Sequence, residues 1–366
     1  MVFCFSSKNK GGNTLYNKKQ QRVRLFSIFA TIMMIFSLFA PTLSAQSVGK
    51  NDRNGKLHQS AIDPAERVEL KVSDRLMDEF KEDDIVTFLV KFEEKADTTK
   101  VAEKARKTAE SAQLSSHKAE LNQRSAVISE LKSVSIQSQA NVKSFMDEQI
   151  EKGNVEDYRS YFIVNGMAVT ASKEIAEKLA SFPEVEKILP NEKREINTTF
   201  DEEMKSSQSL QDDEIEWNVD RVNAPDSWAM GIDGTGTVVA SLDTGVQWDH
   251  PALKEQYRGY DSSTEEVDHE FSFYDATSDG YEVPADDNGH GTHVTGTMVG
   301  HETDESNQVG VAPGAEWIAV RVFDASGSAT DDDLLDAAEW ILAPGGRADL
   351  APDVVNNSWE IGRAHV

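Results

Sequence analysis

The sequence predicts two folds in one chain. One is a small α+β unit over 77–195, and the other, over 217–366, is an α/β unit with a parallel sheet and helices on both faces. Three observations carry this reading. In the second half, short β-branched runs alternate with helical stretches, as strands joined by crossover helices do. In the first half, strand-like runs meet at an Asn-Gly dipeptide and are flanked by helical segments. Between the halves lies a polar stretch without apolar periodicity.

The elements of the first half follow in order. Ile85 to Phe92 is β-branched and aromatic, bounded by acidic residues, and predicts a buried strand. Thr98 to about Lys152 is rich in Ala, Glu, Lys, Gln and Ser, and Leu114, Leu121, Ile128, Leu131 and Val142 recur at mostly helical intervals. That pattern fits a pair of amphipathic helices or one long hairpin, serving either as a solvated spacer or as a binding element. Tyr161 to Val164 runs into Asn165-Gly166 and continues through Met167 to Thr170, a hairpin. Ser172 is placed to cap a short helix that carries Ile175, Leu179 and Phe182 on one face, and Val185 to Leu189 forms a last strand ending at Pro190. Strand, helices, hairpin, helix and strand in that order give a split-βαβ, or ferredoxin-like, antiparallel sheet.

Residues 46–76 read as a flexible leader, with order beginning near Asp74, and 196–216 as an exposed linker in a polar stretch that starts at about 191 and is open to proteolytic nicking. From Trp217 onward the predicted elements are a strand at Thr237–Leu242, a helix at Thr292–Val299, a strand at Trp317–Phe323, a helix at Asp331–Leu342 and a strand at Asp353–Ser358. Three parallel strands would leave one sheet edge unpaired.

Charge and the N-terminus bound the function. The chain has 366 residues with 64 acidic against 37 basic residues, which disfavours nucleic acid or an anionic membrane as a partner. From Trp217 onward there are 29 acidic and 6 basic residues, so that half carries −23 of the total −27. Lys18, Lys19, Arg22 and Arg24 precede an uncharged run from Leu25 to Ala40, and Leu43-Ser44-Ala45 follows. That order predicts a cleaved signal peptide over 1–45 and an exported protein. A membrane anchor is the weaker reading, because the run is shorter than the ~20 apolar residues that span a bilayer. The single cysteine, Cys4, lies inside that segment, so the exported protein would lack disulfides.

Two motifs carry chemistry. Val238 to Asp243 is an apolar strand that delivers a carboxylate at its carboxyl end, and Thr244-Gly245 makes the turn. Aspartic proteases use the same Asp-Thr-Gly triplet in pairs, but there is no second copy and the surrounding α/β pattern is wrong for them. The second motif, Asp286 to Thr297, places glycines around His290 at a helix start. His290 and His293 with upstream acids could form a metal cluster. Zinc hydrolases, however, space two histidines at i and i+4 with an adjacent Glu, and Gly291 follows His290.

On these residues the chain resembles the subtilase family of serine proteases. The resemblance implies that Asp243 and His290 are two members of an Asp-His-Ser triad, in the chain order known for subtilisin, with His293 structural. It implies a protein- and peptide-cleaving endopeptidase. Gly327-Ser328-Ala329 matches the family segment whose open edge pairs with an extended substrate, though an ordinary loop would read alike. Ser358-Trp359 resembles a wall of the specificity pocket. Tyr161 to Asn191, with Val-Asn-Gly-Met-Ala-Val and Phe-Pro-Glu-Val-Glu-Lys-Ile-Leu-Pro, resembles an inhibitor-type propeptide, which implies a foldase and intramolecular inhibitor whose tail lies in the cleft.

Departures from the family pattern shape the remaining expectations. There is no Gly-Thr-Ser-Met-Ala-type segment for the nucleophile and no later oxyanion Asn, and residues from about Glu360 are read as a truncation or assembly artefact. The chain as given is therefore expected to be inactive. Catalysis needs no cofactor on this reading. Structural calcium is compatible with the acidic loops Glu302–Asn307 and Asp279–Asp287, although the position where the family carries a familiar Asp is Ala252. Two readings from other classes stand beside this one: a propeptide-type inhibitor acting in trans, and a zinc peptidase.

Overall fold

The computed structural model describes residues 70–196, 215–302 and 308–359. They divide into two compact units, 70–191 and 192–359. The predicted signal peptide, the leader up to residue 69, most of the connector, the loop from 303 to 307 and the segment from Glu360 lie outside the described residues.

In the first unit, helix α1 (Asp74–Glu79) precedes strand β1 (Ile85–Phe92). Helices α2 (Thr98–Ser111), α3 (Ser116–Ser138) and α4 (Ala140–Glu151) follow, then strands β2 (Val155–Tyr161) and β3 (Gly166–Ser172), helix α5 (Lys173–Ala180) and strand β4 (Val185–Pro190). The sheet order is β2-β3-β1-β4, antiparallel throughout, which is the split-βαβ arrangement. Its core holds Phe88, Val90, Phe92, Val142, Met146, Val169, Leu179 and Ile188, each wholly buried, and burying each such apolar side chain contributes about 1.5–3 kcal/mol.

Three expectations here need correction. The helical stretch is three helices, because it breaks at Gln139, whose buried amide donates to the carbonyls of Tyr161 and Gly166 and to Asn165 Oδ1. Leu114 lies between helices and is exposed, whereas Ile128, Leu131 and Val142 are buried. The hairpin is closed by four residues, 162–165, with Tyr161 opposite Gly166, and Asn165 alone takes a left-handed φ of 48°. Ser172 stands at the N-cap of α5 with extended backbone, but its side chain accepts no helix N–H.

The second unit opens with strand β5 (Lys193–Glu195) and short helices α6 (Trp217–Arg221) and α7 (Ala224–Ala229). Strand β6 (Val238–Asp243), the two-residue strands β7 (Tyr260–Asp261) and β8 (Glu266–Val267), and strand β9 (Phe273–Asp275) come next. Helix α8 (His290–Val299), strands β10 (Glu316–Arg321) and β11 (Ser328–Thr330), helix α9 (Asp331–Leu342) and strand β12 (Val354–Asn356) complete it. β12-β6-β10-β9 form a four-stranded parallel sheet. The sequence reading missed β9, which at three residues is too short to show alternation.

Both faces of this sheet are covered, because successive strand residues point to opposite faces and Trp317, Ile318, Ala319 and Val320 are all fully buried. Val299 of α8 packs in the cluster that contains Trp317, Ala319 and Phe273. On the other face Tyr274 stacks on Trp340 of α9 at 5.5 Å. β5 lies in the polar stretch that starts at about 191, just ahead of the predicted linker, where a strand was not foreseen; it pairs antiparallel with β11.

Candidate active site

β6 ends at Asp243 and α8 begins at His290, and the parallel sheet brings these two ends together at its carboxyl edge. His290 Nδ1 lies 2.6 Å from Asp243 Oδ1. Asp243 is wholly buried and His290 nearly so, with 11 % of its side chain exposed. The hydrogen bond to Asp243 holds the His290 imidazole above its ordinary pKa, against the opposing effect of burial. Asp243 Oδ1 also accepts the Thr244 N–H at 2.8 Å, while Oδ2 finds no donor among the described residues. A buried carboxylate that accepts from one imidazole nitrogen fixes the ring's tautomer and leaves Nε2 as the proton-transfer atom.

Asp286 fastens the two motifs to each other. Its Oδ1 accepts from Thr244 Oγ1 at 2.8 Å, Gly289 N at 2.8 Å and Asn288 N at 3.2 Å. Its Oδ2 accepts from Thr292 N at 2.8 Å and Thr292 Oγ1 at 2.6 Å. Gly289, at the N-cap of α8, has φ 95° and no side chain, so Asp286 supplies the acceptor that an N-cap residue would. The sequence reading treated Asp286 only as one of several upstream acids; an Asp ahead of Asn-Gly at a helix start is the signal that could have found it.

Arg321, at the end of β10 beside Asp243, was also missed. It is fully buried; Nη1 donates to Thr244 O at 2.9 Å, Nη2 to Asp279 Oδ2 at 2.9 Å, and the guanidinium lies 4.4 Å from the centre of the Tyr281 ring. A lone Arg inside an apolar strand run was the available clue. Asp287 takes the Tyr281 hydroxyl as donor and lies 3.8 Å from Arg321 Nη2. Asp279, Asp286 and Asp287 are thus each engaged by protein donors. Among the described residues no group of three or more acidic, His or Cys side chains is disposed to hold a metal ion.

The remaining predicted site residues fall into two places. Gly327 has φ 78°, and its carbonyl accepts Ile196 N–H at 2.9 Å. A Cβ there would meet Ile196 Cγ1 at 2.7 Å, so glycine is what seats Ile196. Ser328 and Ala329 lie in β11, buried under β5, with Ser328 opposite Glu195 and Ala329 opposite Arg194. Asn288 Nδ2 donates to Ala325 O at 3.2 Å and ties this edge to the His290 loop. Trp359 Nε1 donates to Leu242 O at 2.9 Å, which anchors it at the end of β6, whereas Ser358 is exposed and hydrogen-bonds Asn356. The His293 N–H donates to Gly289 O and its carbonyl accepts from Thr297 Oγ1.

Comparison with known proteins gives the family. Residues 234–364 match the model of the subtilase family, peptidase S8, and residues 87–197 match that of peptidase inhibitor I9. The chain is 47% identical over 351 residues to bacillopeptidase F of Bacillus subtilis (strain 168), covering 93% of this chain and 24% of that protein. It is 29% identical over 226 residues to the minor extracellular protease Vpr of the same organism, covering 59% and 26%. Against subtilisin Savinase of Lederbergia lenta it is 36% identical over 126 residues, covering 34% and 40%. The chain therefore spans about a quarter of the length of the first two relatives. With a subtilisin-like α/β unit behind an I9-type α+β unit, the chain belongs to the subtilase family.

Proposed function

We propose that this chain is part of the precursor of an exported serine endopeptidase, in which Asp243 and His290 are the acid and base of an Asp-His-Ser triad. The observation that carries the reading is the 2.6 Å contact between His290 Nδ1 and the buried Asp243 carboxylate at the carboxyl edge of a parallel sheet. A serine hydroxyl is a poor nucleophile at neutral pH. His290 Nε2 takes its proton during attack on the peptide carbonyl and returns it to the leaving amine. Asp243 stays ionised and stabilises the imidazolium. The reading requires of the whole protein a serine presented to Nε2.

Proteins and peptides are the substrates on this reading, bound as an added strand on the β11 edge. The pairing of β5 with β11 supports that mode, since main-chain hydrogen bonds there hold an extended segment of the chain itself. It also supports the I9-type segment acting as an intramolecular inhibitor. No cofactor enters the chemistry on this reading, and structural calcium remains a proposal for the acidic loops Glu302–Asn307 and Asp279–Asp287. Export rests on the predicted signal peptide; among the described residues no helix is long and apolar enough to cross a membrane.

The test is casein hydrolysis by the protein produced from its own gene, as wild type and as His290→Ala. Hydrolysis that is blocked by a serine-directed phosphonate and reduced by about 10³-fold or more in the variant is expected. Hydrolysis untouched by the substitution, or abolished only by a metal chelator, would overturn the reading.

A further inference from the structure

β5 presents its side chains unequally to the edge it occupies. Lys193 and Glu195 are exposed, while Arg194, between them, turns inward. Its guanidinium forms a two-pronged ion pair with Asp331, the first residue of α9: Nε to Oδ1 at 2.8 Å and Nη2 to Oδ2 at 3.1 Å. Asp331 is only 5 % exposed, and its N–H donates to Glu192 O at 3.1 Å, so it grips the extended segment through both backbone and carboxylate.

Arg194 is the one cation that pairs with Asp331 among the described residues. Burial raises the Asp331 carboxyl pKa, and Arg194 opposes that rise. A neutral side chain in the place of Arg194 would leave a buried carboxylate with no countercharge, and an acidic one would add repulsion. Planar bidentate pairing also distinguishes Arg from Lys, which offers a point charge. The surroundings act in the same direction, because the half of the chain from Trp217 onward carries 29 acidic and 6 basic residues.

We infer that Asp331 is a specificity-determining carboxylate that selects an arginine in extended peptides bound on the β11 edge, at the position Arg194 holds. The inference rests on the protease reading for its meaning as substrate selection. Arg194 is then the chain's own copy of the preferred residue, and the segment around it binds as a substrate does.

Amide hydrogen exchange in the full chain tests this without requiring catalysis. The reporters are the N–H groups of Ile196 and Asp331, which donate across the edge to Gly327 O and Glu192 O. Arg194→Leu and Arg194→Glu should each speed their exchange at least about tenfold, with Arg194→Lys between them and wild type. Asp331→Asn should shrink the difference between Arg and Leu at position 194 to what the Glu192 carboxylate, 3.2 Å from Arg194 Nη2, supplies, and the charge reversal Arg194→Asp with Asp331→Arg should restore protection. Equal protection across the position-194 series overturns the inference, and because that series leaves Asp331 intact it does not depend on how Asp331→Asn folds. A second readout, on the whole protein produced from its own gene, is how far acetylated peptides of residues 192–196 that carry Arg or Leu at position 194 inhibit its casein hydrolysis. A tenfold preference for Arg is expected, and no preference overturns the inference. Absence of any hydrolysis counts against the protease reading alone, since the exchange series still decides the role of Asp331.

Discussion

Gly291 sits so close to Gly245 that a Cβ at position 291 would lie 2.1 Å from the Gly245 carbonyl oxygen. Gly245 is equally constrained, with φ 101° and its own would-be Cβ 2.0 Å from Ala285 O. The Gly291 N–H donates to Thr244 Oγ1 at 2.9 Å across the same seam. The glycines of Asp-Thr-Gly and His-Gly-Thr-His are therefore one feature: they let the strand end that carries Asp243 approach the helix start that carries His290.

Gly291→Ala should force that seam apart. The expected cost is about 1–3 kcal/mol of stability, as for overpacking in a close-packed site. The His290 imidazole should leave hydrogen-bond range of Asp243. A melt together with the imidazole NMR signals checks both, and an unchanged imidazole spectrum would contradict the close-approach argument.

Asp243→Asn should lower the pKa of His290. The bond to Asp243 raises it and burial lowers it, so with the carboxylate gone burial remains, opposed only by the smaller effect of the Asp286 charge. In the wild type the folded pKa lies above the unfolded one. The pair's contribution to stability is thus complete below the unfolded value near 6.5 and is lost as pH rises through the folded value. NMR titration of the two proteins reads the shift directly, and a variant that titrates as the wild type does would remove Asp243 as its cause.

Asp286→Ala should loosen the His290 loop, since five donors lose their acceptor at once, among them the Thr292 N–H at the start of α8. Hydrogen bonds to a charged acceptor are individually worth about 1.5–3 kcal/mol, and water recovers part of the total. A loss of about 2–3 kcal/mol by chemical denaturation is expected, with faster exchange at Gly289 and Thr292 than elsewhere in α8. Uniform exchange along the helix would count against a local anchor.

Asp333 offers a second pH effect of the same sign, from a buried carboxyl in place of an imidazole. Burial pushes its carboxyl up to about 6, while the N–H and hydroxyl of Thr330 oppose that rise. The folded protein then holds a proton that the unfolded chain releases, so stability should fall as pH rises from about 4 to about 6. Asp333→Asn keeps an acceptor for Thr330 N–H and should flatten that slope. Denaturation midpoints at pH 4 and pH 7 give the measurement; identical slopes for the two proteins would refute the assignment.

Most of the architecture was legible from local signals. Ile85–Phe92 and Asp331–Leu342 fall on their predicted bounds because a β-branched run between charges, and an apolar face behind an acidic first turn, are properties of neighbouring residues. The break at Gln139 was not legible, because its partners, Tyr161, Asn165 and Gly166, are more than twenty residues away. Strand β9 exists because β10 lies beside it, and β5 because β11 does.

The same division runs through the site. By itself the sequence determined that Asp243 ends an apolar strand and that His290 stands among glycines at a helix start, since both follow from residue type and spacing. Only the tertiary structure decided that Asp286 serves both motifs, that Arg321 is buried beneath them, and that Asp331 holds Arg194. A charged side chain in a sequence reads as solvated surface until the fold removes its water and supplies a partner, and those partners here lie as far as 137 residues away in the chain.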